Sequence, residues 1–252
     1  MQVFLVFALF FVASFATPLN VLDDFEINKK FEEFEKKFSL KFASEAERKH
    51  RLSIFRENLE EIEKLNQKYP SATFGITKFA TWTKDEFHQK MLMPKNIVPP
   101  KTSKVVQFDS SSAPKSPDYF DWRQKNVVTS IKNQEDCGSC WAFSSTAAIE
   151  SQHAIKTAEL VDLSEQQLID CEWVSQGCNF GFVTPAFEYV KNNGQVLAKD
   201  YPYTDNRTKC EKLNTAKRVF IDGHVKIEAK DEAIAAYVAS KGPATFGKFF
   251  HR

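Results

Sequence analysis

The run NQEDCGSCWAFSS, residues 133–145, sets two cysteines three positions apart, directly ahead of a stretch rich in alanine and free of glycine and proline. That composition predicts a helix over 140–156, which puts Cys140 at its N-terminus. Unpaired amides and the positive end of a helix dipole favour a thiolate there, so the position suits a nucleophile. Gly138 and Ser139 are small enough to let a substrate carbonyl approach the backbone, and Gln134 is placed to donate a hydrogen bond to a developing oxyanion. Three blander roles compete. A Cys-x-x-Cys pair serves redox exchange, but here Trp141 follows, the second cysteine opens the helix and no βαβ pattern surrounds it. A zinc site needs about four closely spaced ligands, and only one such pair exists. The remaining reading makes the cysteines mere bridges or core.

Working outward, the five cysteines stand at 137, 140, 171, 178 and 210, and an odd number leaves one thiol over. The first sixteen residues, MQVFLVFALFFVASFA, form an apolar run ending in the small residues Ser14 and Ala16. They predict a secretory signal peptide, the run being shorter than the roughly 20 residues of a spanning helix. A secretory route is one in which disulfides persist. Across 252 residues, 42% hydrophobic content suffices for a core, and 34 Lys plus Arg nearly cancel 33 Asp plus Glu. No field of one sign is left to draw in nucleic acid or an anionic membrane.

Phe31, Phe34, Phe38 and Phe42 recur at helical spacing, and Ser44-x-x-Glu47 is a capping box for a second helix whose buried face is Leu52, Phe55, Leu59 and Ile62. With no glycine between Asn20 and Ser71, these predict a helical subdomain; Phe74, Ile76 and Phe79 then alternate as in a strand. Prolines and serines over 93–117 predict an exposed linker open to proteolytic nicking. Beyond it, Ser164-x-x-Gln167 caps a short helix into Cys171, and Thr184-Pro185 opens another that Gly194 ends. Residues 216–227 alternate like a strand, 231–239 look helical and 244–247 begin a further strand. There is no internal repeat.

Cys137-Gly138-Ser139-Cys140-Trp141 fits the C-G-[SA]-C-[WY] signature, and the sequence resembles a papain-family cysteine protease precursor of the cathepsin L-like kind. Glu47, Arg51, Phe55, Asn58, Ile62 and Asn66, at steps of 4, 4, 3, 4 and 4, are similar to the marker pattern of the I29-type inhibitory propeptide. LSEQQLIDC, Gly177-Cys178-Asn179 with Gly181, and Tyr201-Pro202-Tyr203 before Cys210 extend the resemblance. It implies an α+β chain: a helical propeptide, then the mostly α first lobe of a two-lobe fold, with only the first strands of the β-barrel lobe. The implied boundaries are a signal peptide at 1–16, propeptide at 17–112 and an incomplete peptidase domain at 113–252. Cys140 would be the nucleophile and Gln134 the oxyanion donor, with bridges Cys137–Cys178 and Cys171–Cys210. Substrate would meet Gly138, Ser139, Trp141, Asn179, Gly181, Phe182, Val183 and Gly247. No cofactor or metal is implied.

The departures are specific. Threonines stand at 77 and 81 where the family usually has Asn and Asp, and Thr81 cannot titrate as an acid trigger. Glu135 and Phe180 replace usual glycines, which adds strain wherever φ is positive. The family's His and Asn follow the nucleophile by roughly 130 to 150 residues. Only 112 residues follow Cys140, so the base is expected to be missing and the chain inactive as written. His50, His88, His153, His224 and His251 are read as ordinary surface or boundary residues. The expectation is thus a secreted or lysosomal endopeptidase zymogen, a monomer, acting on proteins or peptides and held by its own propeptide. The alternatives are an inhibitor of related proteases and a truncated product without function. Asn206-Arg207-Thr208 is a glycosylation sequon.

Overall fold

In the computed structural model, which describes residues 23–92 and 106–247, helix α1 (Asp24–Lys37) starts where the Asp23 carboxylate accepts the Glu26 N–H at 2.7 Å. The expected signal peptide, much of the expected linker and His251 lie outside the described residues. The chain divides into two compact units, Met1–Thr83 and Lys84–Arg252.

In the first unit, α1 buries Ile27, Phe31 and Phe34 and ends at Phe38, after which the chain turns through Ser39 at φ 52°. Phe42 therefore reaches the stripe from outside the helix, stacking on Phe31 at 6.0 Å. The capping box of α2 (Glu45–Lys68) closes as expected in kind: Ser44 Oγ accepts the Glu47 N–H at 3.1 Å. Glu47 Oε2 in turn accepts the Ala43 N–H at 2.8 Å. Phe55 is fully buried, 5.3 Å from the Phe31 ring and 5.2 Å from Phe34, with Leu52 and Leu59 packed against the cluster. Ile62 is only half-buried, whereas Ile54, outside the expected face, is buried.

The expected strand around Phe74 does not form. Its polar groups are taken by side chains of α2 instead of a neighbouring strand: Asn66 brackets Phe74, donating to its carbonyl at 3.0 Å and accepting its N–H at 2.7 Å. About two turns earlier, Asn58 donates to the carbonyls of Ala80 and Trp82 at 2.9 and 3.0 Å, and about four turns earlier Arg51 donates to that of Thr81 at 3.1 Å. The spaced polar residues of α2 thus act as a row of clamps on the segment that follows.

The second unit contains α3 (Lys84–Met91), β1 (Val106–Gln107), α4 (Cys140–Thr157), α5 (Glu165–Cys171), α6 (Val183–Asn193), β2 (Gln195–Val196), β3 (Arg218–Val219), β4 (Val225–Lys226) and α7 (Asp231–Ser240). Trp141, Ala142 and Ile149 of α4 meet Leu168 and Ile169 of α5 and Ala186 and Val190 of α6 in one core. Ser164 caps α5, accepting the Gln167 N–H at 3.0 Å, and Gly194 ends α6 at φ 70°, a conformation that favours glycine. The strand expected over 216–227 is two strands: β3 pairs antiparallel with β2, β4 parallel with β1, and the Asp222-Gly223 bend divides them. Residues 244–247 form no strand.

A buried ionic cluster fixes the approach to α4. Glu150, on the interior face of that helix, accepts from Thr129 Oγ1 at 2.6 Å, Lys132 Nζ at 3.0 Å and the Leu163 N–H at 2.8 Å. Lys132 also contacts Glu165 at 2.7 Å and Asp162 at 2.6 Å. Residues 129–132 are thereby pinned to α4 and to the start of α5, directly ahead of the loop that carries Gln134.

Candidate active site

Cys140 is the first residue of α4, exposed, and the one free thiol among the five cysteines. The others are joined as Cys137–Cys178 and Cys171–Cys210, 41 and 39 residues apart in sequence. Ser139 stands at the N-cap without a side-chain capping bond, so the first amides of the helix face the sulfur unoccupied by a hydroxyl. Yet the thiol pKa is raised, the reverse of what its position suggests. Although the residue is exposed, desolvation by the surrounding chain is the larger influence, and the N–H groups of Trp141 and Cys140 itself oppose it without overcoming it. Among the described residues no imidazole acts on it.

The loop before the helix is held at several points. Gln134 Nε2 donates to the Cys137 carbonyl at 2.7 Å, while the Gln134 carbonyl accepts Tyr203 Oη at 2.6 Å. The same Tyr203 hydroxyl lies 3.1 Å from Ser139 Oγ, and Tyr203 packs edge-on against Phe143. Tyr203 thus ties the residue ahead of the nucleophile to the residue bearing the amide, a link that sequence reading missed; an aromatic two residues after Tyr201 gives no local signal of it. Glu135 adopts φ 49°, the left-handed region, whereas Phe180 is absent from the positive-φ residues. Of the two replaced glycines, only the first carries strain.

Residues 177–182 lie alongside. The Gly138 N–H donates to the Cys178 carbonyl at 2.7 Å, and a Cβ on Gly138 would fall 2.3 Å from that oxygen, so glycine is required for the approach. Gly181 rests on the Trp141 indole, where a Cβ would stand 2.3 Å from the ring. Trp141 is 3% exposed and donates Nε1–H to the Gly177 carbonyl at 3.0 Å; Ser139 is wholly buried. The expected substrate-facing set therefore splits by depth. Trp141 and Ser139 lie beneath the surface as supports, Asn179 is exposed, and Phe182 is half-buried with its ring 6.1 Å from Phe180. Val183 opens α6 and lines a separate cavity, and Gly247 has no atom within 4 Å of where a Cβ would stand.

That cavity, about 710 Å³, is bounded by Ile149, His153, Val183, Phe187, His224 and Phe246 among others, and Cys140 is not part of its wall. The Nε2 atoms of His153 and His224 are buried there without a hydrogen-bond partner among the described residues; His224 Nδ1 is 3.5 Å from Glu188 Oε1 and its ring stacks on Phe187. His50 lies on α2 and His88 on α3.

Comparison with known proteins agrees with this arrangement. The profile described as papain family cysteine protease matches residues 116–248, and that of the cathepsin propeptide inhibitor domain (I29) matches residues 31–87. A viral cathepsin of Antheraea pernyi nuclear polyhedrosis virus is 45% identical over 193 residues, 75% of this chain and 58% of its own length. The cathepsin L-like proteinase of Phaedon cochleariae is 37% identical over 249 residues, covering 94% of this chain and 75% of the relative. Among solved structures, a recombinant stem bromelain precursor superposes with a TM-score of 0.73 at 32% identity, over 84% of this chain and 69% of the other. The chain thus spans little more than half of the viral relative.

Proposed function

The chain belongs to the papain family of cysteine proteases and carries a cathepsin propeptide inhibitor domain ahead of the peptidase region, and on that premise we propose that it is an endopeptidase precursor with Cys140 as nucleophile. The carrying observation is that Cys140 is the unbridged cysteine and opens α4, beside a loop fixed by Tyr203 and the Cys137–Cys178 bridge. Sγ adds to a peptide carbonyl, the oxyanion is received by the second Gln134 amide hydrogen and the Cys140 N–H, and collapse breaks the C–N bond, the amine leaving with the proton given up by the thiol; the thioester left behind is hydrolysed by water to the acid and the free thiol. Asn179, Gly181 and Phe182 border the substrate, with Gly138 keeping the backbone accessible.

Residues 17–112 act as an internal inhibitor of the peptidase domain at 113–252, after a signal peptide at 1–16 directs the chain to secretion or the lysosome. The pairing of β1 with β4 and the edge contact of Phe108 with Tyr237 at 5.1 Å support an anchored end for that inhibitor. We infer that residues 1–252 by themselves do not turn over peptide: among the described residues no imidazole acts on the Cys140 thiol, whose pKa is raised.

Fluorogenic peptide hydrolysis tests this. The 252-residue chain is expected to match its Cys140→Ala variant. A longer product of the same reading frame, holding a His and an Asn roughly 130 to 150 residues after Cys140, is expected to lose activity on Cys140→Ala. Cys140-dependent turnover by the 252-residue chain would overturn the inert reading, and activity surviving Cys140→Ala in the longer product would overturn the nucleophile. A second reading, inhibition of related proteases in trans, is favoured by the separate core of Phe31, Phe34 and Phe55 in the first unit. Absence of inhibition at micromolar concentration removes it.

A further inference from the structure

Asn206-Arg207-Thr208 is the single N-x-S/T triplet of the sequence, and its two key residues stand in opposite situations. Asn206 is exposed; its Oδ1 accepts the Arg207 N–H at 2.9 Å, and its Nδ2 makes no hydrogen bond among the described residues. A substituent on that nitrogen therefore breaks no interaction of the fold. Thr208 is exposed as well, but unlike the Asn206 amide nitrogen its polar groups are engaged. Its hydroxyl donates to Asp170 Oδ2 at 2.8 Å and its N–H to Asp170 Oδ1 at 2.6 Å, and Asp170 is 1% exposed.

The backbone around the triplet is latched as well. Buried Gln166, one turn before Asp170 on α5, donates to the Asn206 carbonyl at 2.6 Å and accepts the Thr204 N–H at 2.9 Å. Two residues past Thr208, Cys210 is bridged to Cys171 at the end of α5. On the other side, Asp205 adopts φ 56° and accepts the Asp136 N–H at 3.0 Å. An enzyme that reads the asparagine amide and the hydroxyl two residues on as a unit needs both at once in an open segment. Once residues 204–210 are closed, the hydroxyl can be released only by leaving a buried carboxylate short of its donors.

We propose that Asn206 carries an N-linked oligosaccharide, transferred before Thr208 docks on Asp170 and before the Cys171–Cys210 bridge closes. The donor is a lipid-pyrophosphate-linked oligosaccharide. The Nδ2–C1 bond forms, the bond from C1 to the pyrophosphate oxygen breaks, the lipid pyrophosphate departs with the electron pair, and the amide gives up one proton. This site rests on the secretory route proposed above, and the test separates the two.

The full chain is translated with microsomes, once with its own leader and once with the leader of an established secreted protein. The protease-protected product is examined by mass spectrometry before and after enzymatic removal of N-glycans. The expected result is one glycan, absent in Asn206→Gln, with release converting Asn206 to Asp. A protected chain that is unmodified at 206 overturns the site; protection seen only with the substituted leader faults the leader and leaves the site decided by that arm. For the order of events, unglycosylated folded chain is offered to detergent-solubilised transferase before and after disulfide reduction. Occupancy is expected to be at least about tenfold lower in the bridged form, because opening it breaks two charge-assisted hydrogen bonds. Equal occupancy in both forms overturns the order.

Discussion

Glu135 shows how much a single backbone angle decides. A side chain at φ 49° costs about 1 to 2 kcal/mol, partly offset here because Asn133 donates to Glu135 Oε1 at 2.7 Å and accepts the Glu135 N–H at 3.0 Å. Glu135→Gly is expected to gain up to about 1 kcal/mol in urea denaturation, since glycine sheds the strain while losing more chain entropy. Phe180→Gly should gain nothing, because no positive φ is relieved and the Phe182 contact is lost. Both departures from glycine were legible in the sequence; which one is strained was not, as φ depends on the path of the whole loop. Tyr203→Phe removes bonds to Gln134 and Ser139 and should cost about 1 to 2 kcal/mol by the same measurement, with no change if those bonds are idle.

The helices followed from caps and periodicity because those signals are local: Ser44, Ser164 and Gly194 sit where the sequence put them. The strands did not. Around Phe74 the side chains of Asn58 and Asn66 supply the partners that a ladder would have supplied, and 216–227 divides because its two halves find different partners. Arg51 meets the main-chain carbonyl of Thr81 at 3.1 Å and the Glu47 carboxylate at 4.0 Å, so this clamp ties the segment to α2 through its backbone. Between α4 and α5, burial lowers the Lys132 pKa but its hydrogen bonds to Asp162 and Glu165 raise it further, leaving it above its usual range. Its contribution is therefore complete below the ordinary lysine range and lost only as pH climbs above it. Burial pushes the Glu165 carboxyl up despite Lys132, so its own share favours the folded state in acid and fades as pH rises through its folded value. Lys132→Met strands two buried carboxylates and should cost about 3 to 5 kcal/mol at neutral pH. The loss should shrink on acidification, as protonation discharges them; a loss that grows in acid would contradict this electrostatic account.

At the scale of the molecule, each unit has a core of its own, and both disulfides lie in the second. Two thermal transitions are expected, and reduction should lower one of them, each bridge contributing about 2 to 4 kcal/mol, while leaving the other in place. A single transition moved as a whole by reduction would contradict separate cores. The two bridges and the order of an inhibitor segment ahead of a papain-family segment were legible because the resemblance that implied them rests on short runs with fixed spacing. The direction of the Cys140 pKa was not, because desolvation by the folded chain outweighs the hydrogen bonds of the helix terminus. The most direct test is the pH dependence of iodoacetamide alkylation of the unreduced 252-residue chain, followed by peptide mass spectrometry. Modification confined to Cys140, slow at neutral pH and rising only above the ordinary thiol range of about 8.5, is the predicted result. Rapid alkylation of Cys140 at pH 5 to 6, where an imidazolium would hold a thiolate, or no free thiol at that position, would contradict it.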